Sequence, residues 1–331
     1  MPEMLFVVVI VIAIALLFDF INGFHDSANA ISTVIATNVL TPIQAVILAA
    51  FWNFIGAFVF TVAVATAIGK GIVVQDAITI QLIVAALLGA IAWDLITWWL
   101  GLPTSSSHAL IGGLIGAAIV SSGIKSLIFS GINKVLVFII IAPLLGFIGA
   151  VIFTIMVMWI FRKSMPTKVN GYFRKLQLIS ASFYSLGHGT NDAQKTMGII
   201  AALLLSAGLI DHFFVPRWVI LSAHGAIALG TLFGGWRIVK TMGTRITKLK
   251  PVDGFCAETG GSIVLIGTAA AGVPVSTTHV ISGSIMGVGT AKRASGVRWG
   301  IARRIMFAWI FTIPASAIIA GASYLLIGAV L

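Results

Sequence analysis

The chain has 331 residues, 59% of them hydrophobic and only 9% charged, with a mean hydropathy of +1.12. A soluble globular body carries about 25% charged residues, so the composition excludes one and points to a membrane protein. The net charge of +11 would suit nucleic acid on a soluble face, but here the basic residues stand in short segments between apolar runs. That is the pattern of cytoplasmic loops, and nucleic acid is not expected as a partner.

The first apolar run, Met1 to Phe18, has Glu3 in front and lacks a basic leader, so it reads as a spanning helix rather than a signal peptide. The apolar runs of spanning length lie near 4–38, 43–68, 78–121, 134–161, 177–207, 218–236, 256–290 and 301–330. A spanning helix needs about 20 apolar residues, and none of these runs alternates in polarity as a barrel strand does. The fold class expected is an all-α polytopic membrane protein. Two runs, 78–121 and 256–290, are too long for one span and carry Gly101-Leu102-Pro103 and Gly272-Val273-Pro274 near their middles. Proline ends one helix and opens the next, so both are expected to be re-entrant helical hairpins. The single cysteine, Cys256, reads as a small apolar residue in a helix.

Fifteen of the twenty basic residues fall in three clusters: Arg162 to Lys175, Arg237 to Lys250 and Lys292 to Arg304. The number of crossings between them puts all three on one side, the cytoplasm, and both termini outside. The chain also repeats itself. Gly23-Phe24-His25-Asp26 matches Gly189-Thr190-Asn191-Asp192, and Pro103-Thr104-Ser105-Ser106-Ser107-His108 matches Pro274-Val275-Ser276-Thr277-Thr278-His279. Asp26 precedes Pro103 by 77 residues and Asp192 precedes Pro274 by 82. With three net crossings between, these are inverted-topology repeats: 1–161, then a basic cytoplasmic linker at 162–176, then 177–331. Many secondary transporters have this architecture, with the site at mid-membrane between the repeats.

A carboxylate at bilayer depth costs roughly 2.5–3.5 kcal/mol on insertion scales, and Asp26 and Asp192 are two at repeat-equivalent positions. They suit cation coordination or proton carriage; the plainer reading is a structural pair with Lys195 or a helix cap. Asn22, His25, Asn29, His188, Asn191 and Gln194 crowd the same segments, which predicts that the first helix of each repeat is broken by an unwound turn lining a polar cavity. At each hairpin tip proline opens a helix whose first turn carries Ser105, Ser106 and Ser107, or Ser276, Thr277 and Thr278. Free N–H groups, the dipole and hydroxyls make such an end an anion site, and two facing tips would grip a tetrahedral oxyanion. Ordinary capping is the alternative. His108 and His279 end the tips, either as interior hydrogen-bonding residues or lying behind the ligands. Asp19, Asp94 and Glu258 are further intramembrane acids whose roles stay open. No zinc spacing, Walker sequence or nucleophile–base pair can be read, so no enzyme, catalytic residue or cofactor is expected.

These motifs, Gly23-Phe24-His25-Asp26-Ser27-Ala28-Asn29-Ala30, Gly187-His188-Gly189-Thr190-Asn191-Asp192-Ala193-Gln194-Lys195-Thr196 and the two tips, resemble those of the inorganic phosphate transporter (PiT) family, in its compact bacterial form. The resemblance covers nearly the whole chain. It implies a symporter of the cell membrane that imports inorganic phosphate with Na⁺ or H⁺ by alternating access. Phosphate ligands are then Ser105, Ser106, Ser107, Ser276, Thr277, Thr278, Asn29 and Gln194. Cation coupling falls to Asp26, Asp192, Asn29 and Asn191, with Asp26 and Asp192 holding Na⁺ if sodium is the ion. His108, His279, Asn22, His25, His188 and Lys195 lie around them. Lys195 departs from the asparagine that family motifs often carry there, which leaves the coupling ion open. Partners are phosphate, the cation, the lipid bilayer and, as one option, a second copy in a homodimer. Sulfate, a neutral metal–phosphate complex or an anion channel are the alternatives.

Overall fold

The computed structural model describes residues 2–59 and 61–330. Among them the chain forms twelve α-helices and no strand. The first half holds α1 (Pro2–Ala36), α2 (Pro42–Ile55), α3 (Ala63–Gly71), α4 (Ile80–Leu100), α5 (Ser106–Ser122) and α6 (Phe129–Ile160). The second holds α7 (Pro166–Ser206), α8 (Arg217–Phe233), α9 (Trp236–Lys240), α10 (Pro251–Ala270), α11 (Thr277–Lys292) and α12 (Trp299–Val330). The halves match element by element. Each has a long helix with a polar middle, a bent pair, a hairpin and a long apolar helix with an inner proline, Pro143 or Pro314. The bends are 81° between α2 and α3 and 63° between α8 and α9. Among the described residues α1, α4, α6 and α12 are each long and apolar enough alone to cross a bilayer.

Two apolar cores fix how the repeats face each other. One gathers the start of α1 (Val8, Val11, Phe18) with the end of α7 (Ile199, Ile200, Leu203). The other gathers the end of α1 (Ile31, Val34) with the start of α7 (Phe173, Tyr184). The two long helices therefore run antiparallel, as inverted repeats require, and their polar middles lie where the cores meet. The repeats also exchange their last helices: α6 packs on α10 and α11, and α12 on α4 and α5. Gly112 and Gly116 of α5 permit that approach, because a Cβ at either would strike the α12 backbone.

Both hairpins turn inside the protein, with Pro103 to His108 and Pro274 to His279 all buried. α4 ends on Gly101 and α10 runs into Gly272, each at φ +65°, where a side chain would be strained. Leu102 N then donates to Thr97 O and Val273 N to Thr268 O, both at 2.9 Å, the same helix-ending bond in each repeat.

Two expectations need correction. The first helix of neither repeat is broken: α1 and α7 run without interruption through Asn22–Asn29 and His188–Lys195. Their polar side chains find partners on neighbouring helices, so the backbone bonds need not open. Nor is 162–176 a linker throughout. Pro166 opens α7, the position where its missing N–H costs nothing, and Lys168, Arg174 and Lys175 ride on its first turns. Phe173 anchors that end, its ring 5.4 Å from Phe161 and 5.1 Å from Phe255.

Candidate functional site

The tips divide their hydroxyls between folding and the site. Ser105 Oγ accepts from His108 N at 3.3 Å and Ser276 Oγ from His279 N at 3.2 Å, so both serve as caps of their own helices. The next two residues of each tip, Ser106 and Ser107 or Thr277 and Thr278, bring first-turn N–H groups that have no partner within the helix. Ser106 Oγ is buried without a hydrogen-bond partner. Each tip is held from outside. Trp309 Nε1 on α12 donates to Pro103 O at 2.9 Å, and Tyr184 Oη on α7 donates to Thr277 O at 2.8 Å.

The polar middles of α1 and α7 meet these tips. Asn29 Nδ2 donates to Thr277 Oγ1 (3.1 Å) and Thr278 Oγ1 (2.9 Å). Thr277 in turn donates to Asp192 Oδ2 at 2.9 Å, and Thr278 to Asp26 Oδ2 at 3.4 Å. Lys195 Nζ donates to Asp192 Oδ1 (2.5 Å), to Val275 O (2.9 Å) and to Ser107 Oγ. His25 lies between Asp26 Oδ1 at 2.6 Å and Thr97 Oγ1 at 3.1 Å. Both aspartates and both tips thus share one buried centre.

The centre is rich in lone pairs. One ligating atom each from Asp26, His188 and Asp192 lie within 4.8 Å of one another. Asn53 Nδ2 donates to Thr231, so its Oδ1 accepts from His188 Nδ1 at 3.1 Å. His188 Nε2 then lies 3.3 Å from Asp192 Oδ2. Asn29 Oδ1 and Asn191 Oδ1 are buried carbonyl oxygens with no donor. Acceptors gathered in this way fit a cation, because each is costly to bury unmatched.

Of the residues expected at the site, Asp26, Asp192, Asn29, Ser107, Thr277, Thr278, His25, His188 and Lys195 come together through these contacts. Asn191 Nδ2 donates to Leu265 O at 3.1 Å. His108 and His279 pack ring to ring, 4.7 Å apart, with His279 stacked on Trp309 at 3.9 Å. Asn22 turns to Asp19 at 3.4 Å. Gln194 departs from expectation: its Oε1 accepts from Val64 N (2.9 Å) and Ala65 N (3.2 Å), capping α3 instead of meeting an anion at the tips. Glu258 is held by Gln177 at 2.9 Å and Ser180 at 2.5 Å and so fastens α10 to α7, while both Asp94 oxygens are buried without a partner. Asn53, Tyr184 and Trp309 were not among the expected residues. Asn53 alone had a signal, as a carboxamide inside an apolar run.

Comparison with known proteins places this centre in context. The PHO4 family, described as the phosphate transporter family, matches residues 22–320. A Rhizobium meliloti (strain 1021) protein named "Probable low-affinity inorganic phosphate transporter" is 54% identical over 314 residues, 95% of this chain and 94% of the relative. A Bacillus subtilis (strain 168) protein of the same name is 45% identical over 332 residues, 99% of each chain. A solved structure titled "The sodium-dependent phosphate transporter" has the same fold, with a TM-score of 0.87 at 23% identity, covering 98% of this chain and 100% of that one. The chain belongs to the phosphate transporter family and is a polytopic membrane transporter rather than an enzyme.

Proposed function

We propose that this member of the phosphate transporter family is a secondary active symporter, importing inorganic phosphate with Na⁺ or H⁺ by alternating access. One observation carries the reading: Asp26 and Asp192, from oppositely oriented repeats, meet both hairpin tips in one buried place. The tips offer N–H and hydroxyl donors to phosphate oxygens, with Ser106 and Ser107 on one side and Thr277 and Thr278 on the other. A cation, when bound, offsets the charge of the two carboxylates and the anion; Asp26, Asn29, Asn191 and Asp192 would hold it. Phosphate keeps a proton that a carboxylate can accept, whereas sulfate at neutral pH has none and would be repelled. The basic segments face the cytoplasm under this reading, with both termini outside. Radiolabelled phosphate uptake into proteoliposomes under imposed Na⁺ or H⁺ gradients tests it. Uptake driven by either gradient and resistant to excess sulfate is expected; equal loss to sulfate would move the substrate to oxyanions at large.

His188 favours a second reading. An imidazole nitrogen grouped with two carboxylates suits a transition metal better than Na⁺, which takes oxygen. The cargo would then be a neutral metal–phosphate complex. Phosphate-dependent uptake of radiolabelled Zn²⁺ or Mn²⁺ distinguishes the two.

A further inference from the structure

The two repeats supply matching aspartates and matching tip hydroxyls to the centre. Asp26 corresponds to Asp192, Thr278 to Ser107 and Thr104 to Val275, each at the same place in its motif. Three residues beyond each aspartate the repeats part: Asn29 in one, Lys195 in the other.

Lys195 is 1% exposed, and its ammonium is held by oxygen alone. The carboxylate of Asp192 comes from α7, the Val275 carbonyl from the second tip and the Ser107 hydroxyl from the first. Carboxylate, carbonyl and hydroxyl together are the oxygen set that hard cations take. Pairing with Asp192 alone would need only the first of these. Asn29 brings no charge to the matching place. Both its contacts to Thr277 and Thr278 run through Nδ2, and its Oδ1 is buried without a donor.

We propose that Lys195 is a tethered cation: its ammonium fills the second repeat's oxygen cage at Asp192, so of the cation ligands proposed above only Asp26 and Asn29, in the first repeat's cage, take up a free ion. This rests on the phosphate–cation symport proposed above. A covalently attached charge needs no gathering from solution, so it lowers by one the number of ions that must arrive with phosphate. It also touches both tips, so the same ammonium that neutralises Asp192 ties the two hairpins together.

Linkage gives the test. The slope of log phosphate affinity against log cation concentration counts the free cations bound with phosphate. Phosphate binding to the purified, full-length protein is measured while Na⁺ replaces choline, and again while pH is varied in choline, and the steeper of the two slopes is read. That slope is expected to be about one for the parent, about two for Lys195→Asn and about zero for Asn29→Lys, which installs the second tether. Lys195→Met, with neither charge nor ligand, is expected to weaken phosphate binding by about tenfold or more. An unchanged slope in whichever of Lys195→Asn and Asn29→Lys folds, or parent-like affinity in Lys195→Met, overturns the proposal. A parent that binds no phosphate overturns the symport reading instead.

Discussion

Asn29 Nδ2 donates to Thr278 Oγ1 across 2.9 Å, although 249 residues separate them. The bond joins the first repeat's long helix to the second repeat's tip. Lys195 makes the reciprocal bond, from the second repeat's long helix to Ser107 on the first tip. Each repeat therefore holds the other's hairpin through the residues that line the centre. Parting the tips to open either side breaks bonds at the site itself, so whatever occupies the site bears directly on opening.

The aspartates are the first residues to test. Asp26→Asn and Asp192→Asn are each expected to abolish phosphate uptake, by about a hundredfold or more, while both variants still reach the membrane. Their stabilities should differ. Asp192→Asn leaves Lys195 a buried charge without its carboxylate, at a cost of about 3–5 kcal/mol, whereas Asp26 faces a histidine that can be neutral. Thermal unfolding in detergent should show the lower midpoint for Asp192→Asn. Wild-type-like uptake in both would remove the pair from the mechanism.

The tip hydroxyls separate by role. Thr277 Oγ1 bonds Asp192 at the centre and Ser106 Oγ is a buried hydroxyl with no partner, so Ser106→Ala and Thr277→Ala should each raise the half-saturation concentration for phosphate several-fold, about 1 kcal/mol for each lost donor. Ser105→Ala removes a cap and should cost about 1 kcal/mol of stability, with a smaller effect on half-saturation. Paired uptake curves and melting curves read the two effects apart. A Ser105→Ala variant that is fully stable and binds poorly would reverse the assignment.

What was legible in the sequence, and what was not, follows the range of each signal. Gly101-Leu102-Pro103 and its partner are local: glycine at positive φ, then a proline-led helix, need no knowledge of the rest of the chain. The inverted repeat was legible because matched residues recur in order. The continuity of α1 and α7 was not, because it depends on distant partners. His25 meets Thr97, 72 positions away, and His188 meets Asn53, 135 positions away. Without those partners the same residues read as an unwound turn. The exchange of α6 and α12 between repeats lies equally beyond sequence, since both are long and mostly apolar and carry no motif that names a partner. Gln194 was misplaced for a related reason: its motif puts it two residues from Asp192, but on a helix that spacing turns it to another face.

That displacement can be measured. Gln194 Oε1 accepts from two N–H groups at the start of α3, so Gln194→Ala should uncap that helix and cost about 1 kcal/mol of stability. The half-saturation concentration for phosphate should stay within about twofold of the parent's, because no energetically significant contact to the anion is lost. A large rise in half-saturation with normal melting would return Gln194 to the anion site.

The orientation of the chain rests on charge and parity, and both can be read chemically. Cys256 is the single native thiol and is buried, so a Cys256→Ser background allows one cysteine to be placed at a time. Lys163, Lys248 and Lys125 are all exposed. The first two lie in basic segments, and a charge bias of this size holds such segments on the cytoplasmic side. Lys125 follows α5, an odd number of crossings away from Lys163 through α6 alone. In intact cells a membrane-impermeant maleimide should therefore label Lys125→Cys but leave Lys163→Cys and Lys248→Cys unlabelled until the membrane is opened. Labelling of Lys163→Cys from outside would invert the topology, and with it the direction in which the site faces the cell.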